Sequence, residues 1–467
     1  MMRKETDSMG QMDVPESALY GASTQRAVLN FPISGYQVSQ DVIRAFGLIK
    51  WAAAEINGQL GIITNEKSLI IAKAAEEIYN GEHYEHFPVD VYQTGSGTST
   101  NMNVNEVIAN RCAQIKNVDL DSDKEKKPVH PNDDVNQSQS SNDTFPTAMH
   151  IAVAQKIKQD LIPELKLFHE SLELKVKEFD SILKIGRTHL MDATPVSLGQ
   201  EFSGYARQIE LAIDRALKAQ NALLELPLGG TAVGTGLNCH PEFAKKVISI
   251  IAEKTKIDFK EAQNHFEAQA AKDGLVESHG QLVTISTSLF KIANDIRLMG
   301  SGPRCSLGEV KLPATQPGSS IMPGKVNPVM SEALTMIAAR VFGNQTTVTW
   351  AGANGHLELN VFMPVMVEAV LESVHLITNG IKSFRIKCLN DMTVDKARCL
   401  SLIENSLSMV TSLAPRIGYD LASQIAKESV DTNRSVRELC LERLEDLNLS
   451  EDELNTILDP SKMAGLS

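Results

Sequence analysis

Long stretches with helical periodicity constrain this chain more than any other feature of its sequence. Between residues 145 and 179, apolar side chains recur at steps of three and four, which places them on one face of an α-helix. Comparable patterns cover residues 198–224, 266–298, 328–349 and 361–384. Helices of this length suit an elongated bundle better than a small globule.

The distribution of these patterns predicts a mainly α fold with three domains. Residues 1–139 carry shorter helices and loops, 140–392 hold the long helices, and 393–467 hold short helices interrupted by proline and glycine. Pro163 is expected to kink or break the first long helix, because proline lacks a backbone N–H. The broad apolar faces of the long helices favour packing against other copies of the chain, so an oligomer is expected.

Charge and cysteine content exclude several classes of protein. The 58 acidic and 45 basic residues give a formal net charge of −13, which argues against nonspecific binding of nucleic acid. The six cysteines form no C-x-x-C pair, as is typical of reduced thiols. No apolar run reaches the roughly 18 residues of a membrane span. The N-terminus shows no signal or transit pattern, so a cytoplasmic location is expected. The charged run at 119–127 predicts a solvated loop.

Three loops share one composition, in which glycine or asparagine is combined with hydroxyl side chains directly before a helical stretch. They cover residues 94–101, 138–143 and 317–327. Backbone N–H groups and the dipole at a helix N-terminus favour an anion. For any single loop, ordinary helix capping is the simpler interpretation. Three such loops in one chain, one of them containing Lys325, favour binding of a carboxylate or phosphate.

The third loop does not have the spacing of a nucleotide-binding phosphate loop. Five residues separate Gly318 from Gly324, where that motif has four. Lys325 is followed by Val326, where Ser or Thr would hold magnesium. No G-x-G-x-x-G motif opens a helix after a strand. We therefore expect no nucleotide or dinucleotide cofactor.

The eleven histidines form few patterns typical of metal ligands. His83 and His86 are the closest pair, and a solvated turn accounts for them better than a metal site. His189 lies between two long helical stretches, and His130 lies in a polar loop. For both of these, a structural and a catalytic or binding interpretation remain open from the residues alone.

The third loop resembles the signature of a known enzyme family. Its sequence Gly318-Ser-Ser-Ile-Met-Pro-Gly-Lys-Val-Asn-Pro328 is similar to that of the aspartase/fumarase superfamily, and within it to the class II, iron-independent fumarases. The similarity extends over nearly the whole chain and includes residues 3–8, 19–26, 94–101, 130–136, 140–143, 228–238 and 417–419. Aspartases typically carry Gln at the position of His189 and Ala at that of Gly324. Argininosuccinate and adenylosuccinate lyases share the serine loop without this dense match.

The resemblance implies an activity and an assembly. The reaction would be the reversible hydration of fumarate to (S)-malate in the tricarboxylic acid cycle, by anti addition of water through an aci-carboxylate intermediate, without a cofactor or metal. The fold would have three mostly helical domains and assemble as a homotetramer around a helical core. Each active site would be shared between three subunits, with the Thr94 loop, the Ser140 and Thr188 region and the Ser319 loop each from a different one. The alternatives are an aspartate ammonia-lyase and a non-catalytic helical scaffold.

The resemblance also implies roles for individual residues. Ser319 would take the carbon-bound proton, and His189, with Glu332 as its carboxylate partner, would serve the leaving hydroxyl. A second, shallower carboxylate site would be formed by Lys127, His130, Asn132 and Asp133. Lys127 occupies a place often held by arginine in this family, and it lacks the bidentate fork of an arginine. The residues implied to bind substrate are Ser96, Thr98, Asn101, Ser140, Ser141, Asn142, Thr188, Ser320, Lys325 and Asn327.

The chemistry explains why such a site needs many neutral donors. Loss of a proton next to a carboxylate concentrates negative charge on that carboxylate. A positioned base contributes about 10²–10⁴-fold to the rate, whereas enzymes reach about 10⁶-fold or more. The larger part must therefore come from hydrogen-bond donors aimed at the dianion. Hydroxyl and amide groups around one lysine meet this requirement.

Overall fold

The computed structural model of the protein describes residues 1–121 and 126–466. The middle of the predicted charged loop, residues 122–125, lies outside the described residues. Helices make up 61% of the chain, which confirms the mainly α class. Within the described residues, we find no helix that has both the length and the apolar character needed to cross a membrane.

Most of the chain is helical, and the strands pair in twos. Among the described residues, the two-stranded sheet of Glu225–Leu226 and Lys260–Glu261 is parallel, and the other four two-stranded sheets are antiparallel. The helices are α1 (Ala22–Asn30), α2 (Gln40–Gln59), α3 (Asn65–Tyr79), α4 (Thr98–Ile115), α5 (Ser141–Lys156), α6 (Ile162–Phe179), α7 (Leu198–Asn221), α8 (Phe243–Thr255), α9 (His265–Ala270), α10 (Asp273–Met299), α11 (Val329–Ala353), α12 (Met363–Phe384), α13 (Lys396–Glu404), α14 (Val410–Ile417), α15 (Tyr419–Thr432), α16 (Val436–Leu441), α17 (Glu451–Ile457) and α18 (Pro460–Met463). The strands are β1 (Met2–Asp7), β2 (Gly10–Pro15), β3 (Leu183–Thr188), β4 (Met191–Ser197), β5 (Glu225–Leu226), β6 (Lys260–Glu261), β7 (Val310–Lys311), β8 (Gly355–His356), β9 (Leu359–Asn360) and β10 (Thr393–Val394).

The chain folds into two compact units, and each is discontinuous in sequence. Unit 1 comprises Met1–Pro163, Asp214–Ser286 and Ala338–Thr378. Unit 2 comprises Glu164–Ile213, Thr287–Ile337 and Asn379–Ser467. The division into three domains at residues 139 and 392 stays a prediction.

Three of the five predicted long helices are confirmed as continuous α-helices, namely α7, α11 and α12. The stretch at 145–179 is helical from Ser141 onward, but it contains a π-helical turn at Ile157–Leu161, immediately before α6. Pro163 explains this turn, because it has no N–H to donate to the carbonyl four residues earlier and its ring needs room in the preceding turn.

The prediction of one continuous helix over 266–298 is wrong. Helix α9 ends at Ala270, and Ala271 is extended, with φ −84° and ψ 155°. The Lys272 ammonium folds back and donates to the carbonyl oxygens of Ala268, Gln269 and Ala271 at 2.7–2.9 Å. These bonds satisfy the last carbonyls of α9, which would otherwise lack partners at a helix end. The chain then begins α10.

In unit 1, α2 packs against α3, α5 and α8 and is buried on most of its surface. Gly47 permits the approach of α3, since a Cβ at this position would lie 2.5 Å from the backbone nitrogen of Tyr79. On another side, the rings of Phe46 and Phe145 meet with centroids 5.9 Å apart, which joins α2 to the first turns of α5. The contact with Phe145 positions the start of α5, which follows the Ser140 loop.

In unit 2, a β-hairpin stands where a loop was expected around His189. β3 and β4 pair in antiparallel register, and Thr188 lies opposite Met191 across a two-residue turn. Ile185 anchors the hairpin in an apolar cluster with side chains of the C-terminal helices, including Leu413 and Ile425. The N-terminal hairpin of β1 and β2 was likewise not predicted.

Candidate active site

Glycines force the Thr94 loop into one tight shape. Gly97 precedes α4 with a φ of 73°, and a Cβ there would lie 2.0 Å from the ring of Phe145. A Cβ at Gly95 would lie 1.8 Å from the carbonyl oxygen of Val361. The loop is therefore packed against its neighbours in unit 1, and only glycine fits at these two positions. This packing presents Ser96 and Thr98 together, with their hydroxyl oxygens 2.8 Å apart.

The Thr94 and Ser140 loops meet within one chain. The amide nitrogen Nδ2 of Asn101, which is 1% exposed, donates to Oγ of Ser141 at 3.1 Å. The resemblance had assigned these two loops to different subunits. That assignment is wrong for this pair, because the contact joins them in a single copy.

Ser140 and Ser141 of the second loop form different hydrogen bonds. Ser140 is the N-cap of α5: its Oγ accepts from the backbone of Asn142 at 3.2 Å, and its own N–H donates to Asp143 at 2.9 Å. The capping interpretation is thus confirmed for Ser140. Ser141 differs, because its oxygen accepts from Asn101 and its own proton can still be donated to a ligand oxygen. Nδ2 of Asn142 donates a hydrogen bond to the carbonyl oxygen of Ala232 at 2.8 Å.

Behind this loop, Asp143 is fully buried and binds a second loop. Its carboxylate accepts from the backbone N–H groups of Gly229 at 3.0 Å and Thr231 at 2.9 Å. Burial raises the pKa of Asp143 to about 6, although the backbone donors and Lys50 act against this. Burial also lowers the pKa of the Lys50 ammonium to about 7, and Asp143 opposes that shift. Two opposite charges therefore lie beneath the polar loops of unit 1.

The Ser319 loop of unit 2 holds its serine against backbone donors. Oγ of Ser319 accepts from the backbone N–H groups of Ile321 at 3.2 Å and Met322 at 3.0 Å. The ends of the loop are tied together, because the amide of Asn327 donates to the carbonyl oxygen of Gly318 at 2.6 Å. Ser320 and Lys325 are exposed. Residues 314–319 and 322–326 line an open cavity of about 480 Å³.

His189 lies at the exposed tip of the β3–β4 hairpin, next to Thr188. His189 and Leu190 have φ values of 57° and 63°, which are uncommon for residues other than glycine. An ion pair supports the hairpin close to this tip, since Arg187 donates to the fully buried Glu309 at 2.9 and 3.0 Å. Glu332 is exposed in the first turn of α11. Within the described part of one chain, no hydrogen bond or ion pair joins His189 to Glu332.

The residues implied for a second carboxylate site surround a cavity of about 210 Å³ in unit 1, which Lys127, His130 and Asn132 line. The Lys127 ammonium donates to Glu5 at 3.1 and 3.4 Å and to Asn110 at 2.9 Å. Asp133 is exposed, and its carboxylate lies 3.1 Å from Nδ1 of His130. The cation of this cavity is thus already paired with a carboxylate, which weakens its attraction for an anionic ligand.

The structure confirms the turn predicted around His83 and His86, since Tyr84–His86 forms one 3₁₀ turn. Nε2 of His83 lies 2.9 Å from a carboxylate oxygen of Glu77. Arg111 donates to the same carboxylate at 2.6 Å. His83, Glu85 and His86 offer ligand atoms within 4.8 Å of one another. His83 therefore has a structural partner in Glu77, whose carboxylate is itself paired with Arg111.

Sequence reasoning did not single out Lys50, which lies beneath the polar loops of unit 1. A signal was available, because Lys50 is the one charged residue in the apolar run Phe46-Gly-Leu-Ile-Lys-Trp-Ala-Ala-Ala54. A lone lysine in the middle of such a helix is buried unless it lies on the edge of the apolar face. Asp143 was noted only as part of a capping loop, and its contacts with the loop at 229–231 depend on tertiary structure.

Comparison with known proteins shows the family of the chain. A family model described as "Lyase" matches residues 10–343, and one described as "Fumarase C C-terminus" matches residues 409–465. The fumarate hydratase class II of Mycobacterium tuberculosis is 50% identical over 99% of this chain and 96% of its own length. The chain belongs to the class II fumarate hydratase family. Another relative in this family, the mitochondrial fumarate hydratase 1 of Arabidopsis thaliana, is 50% identical over 100% of this chain and 93% of its own length.

Solved structures place the chain in the same family. The class II fumarase of Schistosoma mansoni matches with a TM-score of 0.94 and 38% identity, over 99% of both chains. A fumarate lyase:delta crystallin of Brucella melitensis, whose structure was determined bound to cobalt, matches with a TM-score of 0.94 and 39% identity, over 99% of this chain and 100% of the other. The class II fumarase fold therefore extends over nearly the whole chain.

Proposed function

We propose that this lyase is a fumarate hydratase that interconverts fumarate and (S)-malate, with Ser319 as the base and the polar loops as the carboxylate-binding groups. The observation that carries the proposal is the full-length identity of 50% with a class II fumarate hydratase. The chain carries His189 at the tip of the β3–β4 hairpin and Gly324 in the Ser319 loop, the two positions where aspartases typically differ. These residues favour release of water over release of ammonia.

The contacts of Ser319 support its role as the base. A neutral serine hydroxyl is a poor base, and it removes a proton from carbon only as an alkoxide whose negative charge is stabilised. Two backbone N–H groups donate to Oγ of Ser319, from Ile321 and Met322. The same donors would stabilise the alkoxide that forms when the Ser319 hydroxyl gives its proton to solvent, and this alkoxide would then take up the carbon-bound proton of malate and return to the neutral hydroxyl. Lys325 and Asn327, on the same loop, would then face the carboxylate on which charge accumulates.

The opposite proton transfer, to the leaving hydroxyl, falls to His189 in this proposal, with Glu332 as its partner. In a single copy, Thr188 and His189 are exposed at a hairpin tip and Lys325 is exposed on its loop. Such exposed polar groups suit a site completed by neighbouring copies, so we propose a homotetramer in which three subunits contribute to each active site. The Thr94 and Ser140 loops come from one subunit, the hairpin from a second and the Ser319 loop from a third.

A direct assay tests the function. Purified protein in chelator-treated buffer is mixed with malate, and the absorbance of the fumarate double bond is followed; aspartate is then offered under the same conditions. The proposal expects fumarate from malate and none from aspartate. Product from aspartate alone would identify an ammonia-lyase, and no product from either would favour a scaffold. A cytoplasmic location stays a prediction, since the relatives include bacterial proteins and a mitochondrial one.

A further inference from the structure

Lys50 is a buried cation that the proposed mechanism does not use. It lies in the middle of α2, and its side chain is 0% exposed. Removal of an ammonium from water costs several kcal/mol unless hydrogen bonds and opposite charge compensate. Burial lowers the pKa of Lys50 to about 7, so a large fraction of it is charged near neutral pH. A lysine retained at such a cost indicates a function in its surroundings.

The hydrogen bonds of Lys50 lead to the polar loops. Its Nζ donates to Oδ1 of Asn136 at 3.0 Å. The same oxygen accepts from Nδ2 of Asn101 at 3.0 Å and from Nδ2 of Asn105 at 3.3 Å, both on α4. Nδ2 of Asn136 donates to the carbonyl oxygen of Gln139 at 3.2 Å. These contacts allow only one orientation of the Asn136 amide, with its oxygen toward the lysine.

The orientation of Asn136 determines that of Asn101, and Asn101 in turn holds Ser141. Nδ2 of Asn101 has two hydrogens; one goes to Asn136 and the other to Oγ of Ser141 at 3.1 Å. The oxygen of Asn101 lies 3.4 Å from the hydroxyl of Thr144, whose shorter hydrogen bond, at 2.7 Å, goes to the carbonyl oxygen of Ser140. Since Ser141 accepts from Asn101, its own proton is left for a ligand. A flip of the Asn136 amide would turn its NH2 group toward the N–H groups of Lys50 and Asn101. The hydrogen bonds from Lys50 to Asn136 and from Asn101 to Asn136 would then be lost.

We propose that Lys50 is a positioning residue of the active site, which acts through Asn136 and Asn101 to aim the hydroxyl of Ser141 at a carboxylate of the substrate. This inference rests on the proposed function, because it needs a four-carbon dicarboxylate in the site. Lys50 does not touch the substrate. Its charge is offset by Asp143 at the start of α5, the charged group that most affects it.

Lys50→Met tests the proposal, because it keeps the length of the side chain and removes its donor. Calorimetric binding of succinate, an unreactive four-carbon dicarboxylate, should weaken by about tenfold to a hundredfold, and KM should rise in parallel. We expect kcat to fall much less, since Ser319 lies on another loop. Unchanged affinity for succinate in a folded variant would overturn the proposal.

Lys272 provides a matched control. It lies in the same unit, is 1% exposed, and has a pKa lowered by burial to about 7. Its ammonium donates to carbonyl oxygens at the end of α9 and to none of the polar loops. Lys272→Met should lower the Tm and leave the affinity for succinate within about twofold. An equal loss of affinity in both variants would mean that any buried lysine in this unit matters, which contradicts a specific role for Lys50.

A double-mutant cycle separates a relay from independent effects. Asn136 is half-buried, so Asn136→Ala should fold even if Lys50→Met does not. If Lys50 acts through Asn136, Asn136→Ala weakens succinate binding by a similar factor, and the double variant binds no worse than Asn136→Ala alone. If the loss of succinate affinity in the double variant equals the product of the losses in the two single variants, the relay is refuted. A wild-type protein that neither hydrates fumarate nor binds succinate would instead refute the proposed function.

Discussion

Replacement of Ser319 by alanine is the sharpest test of the catalytic assignment, and its magnitude follows from the loop geometry. Two backbone N–H groups donate to Oγ of Ser319, at 3.2 and 3.0 Å. A hydrogen bond to a charged group contributes about 1.5–3 kcal/mol, so the pair would stabilise an alkoxide by about 3–6 kcal/mol. Loss of a positioned base costs about 10²–10⁴-fold in rate, which corresponds to about 3–5 kcal/mol of barrier. The two ranges agree, and we expect kcat of Ser319→Ala to fall by about 10²–10⁴-fold.

The assay is the steady-state rate of fumarate formation from malate, together with the Tm and the oligomeric state. Ser319 lies in an open loop, so its two backbone donors can find water in the variant, and the Tm should change by only a few degrees. Ser306→Ala is the control, because Ser306 is an exposed loop serine of the same unit whose hydroxyl contacts only Ser301 among the described residues. Near-normal turnover of folded Ser319→Ala would refute the assignment of the base.

Three further predictions concern unit 1. Gly97 has a φ of 73°, and a Cβ there would lie 2.0 Å from the ring of Phe145, whereas Gly61 has a φ of 70° and its Cβ would meet open space. Gly97→Ala should therefore lower the Tm and raise KM. Gly61→Ala should show only the backbone cost of about 1–2 kcal/mol. Equal effects would contradict the packing argument. Because Glu5 accepts hydrogen bonds from Lys127, we expect Glu5→Gln to tighten dicarboxylate binding at the predicted second site, measured by calorimetry; weaker binding would contradict this. Burial raises the pKa of Asp143 from 3.8 to about 6, so stability from this group is present below pH 4 and lost as the pH rises to 6. The Tm deficit of Asp143→Asn should shrink over that window, and a constant deficit would count against it.

The long helices and the serine loop could be predicted from the sequence because their signals are local. Apolar residues three and four positions apart share a helix face wherever the helix lies, so α7, α11 and α12 were recognised. The eleven residues from Gly318 to Pro328 carry the family resemblance without any tertiary information. Capping by Ser140 was also a local matter, because its partners lie two and three residues away.

The failures of prediction occurred where contacts between distant residues determine the structure. The break after α9 depends on how the Lys272 side chain folds back onto carbonyl oxygens, which apolar spacing does not reveal. The β3–β4 hairpin has no Asn-Gly or Asp-Gly turn; His189 and Leu190 take left-handed conformations because the strands are held by their packing on the C-terminal helices. Lys127 meets Glu5 across 122 residues of sequence.

By itself, the sequence determined the helical class, the family and which hydroxyl and amide residues are available for binding a dicarboxylate. Only the tertiary structure decided what each of them does: Ser140 is used as a helix cap, while Ser141 keeps a proton to donate. The physical reason is that hydrogen-bond orientation depends on partners brought together by packing. The oxygen of Asn136 is an example, because it accepts hydrogen bonds from Lys50 on α2 and from Asn101 on α4, which only the fold brings together.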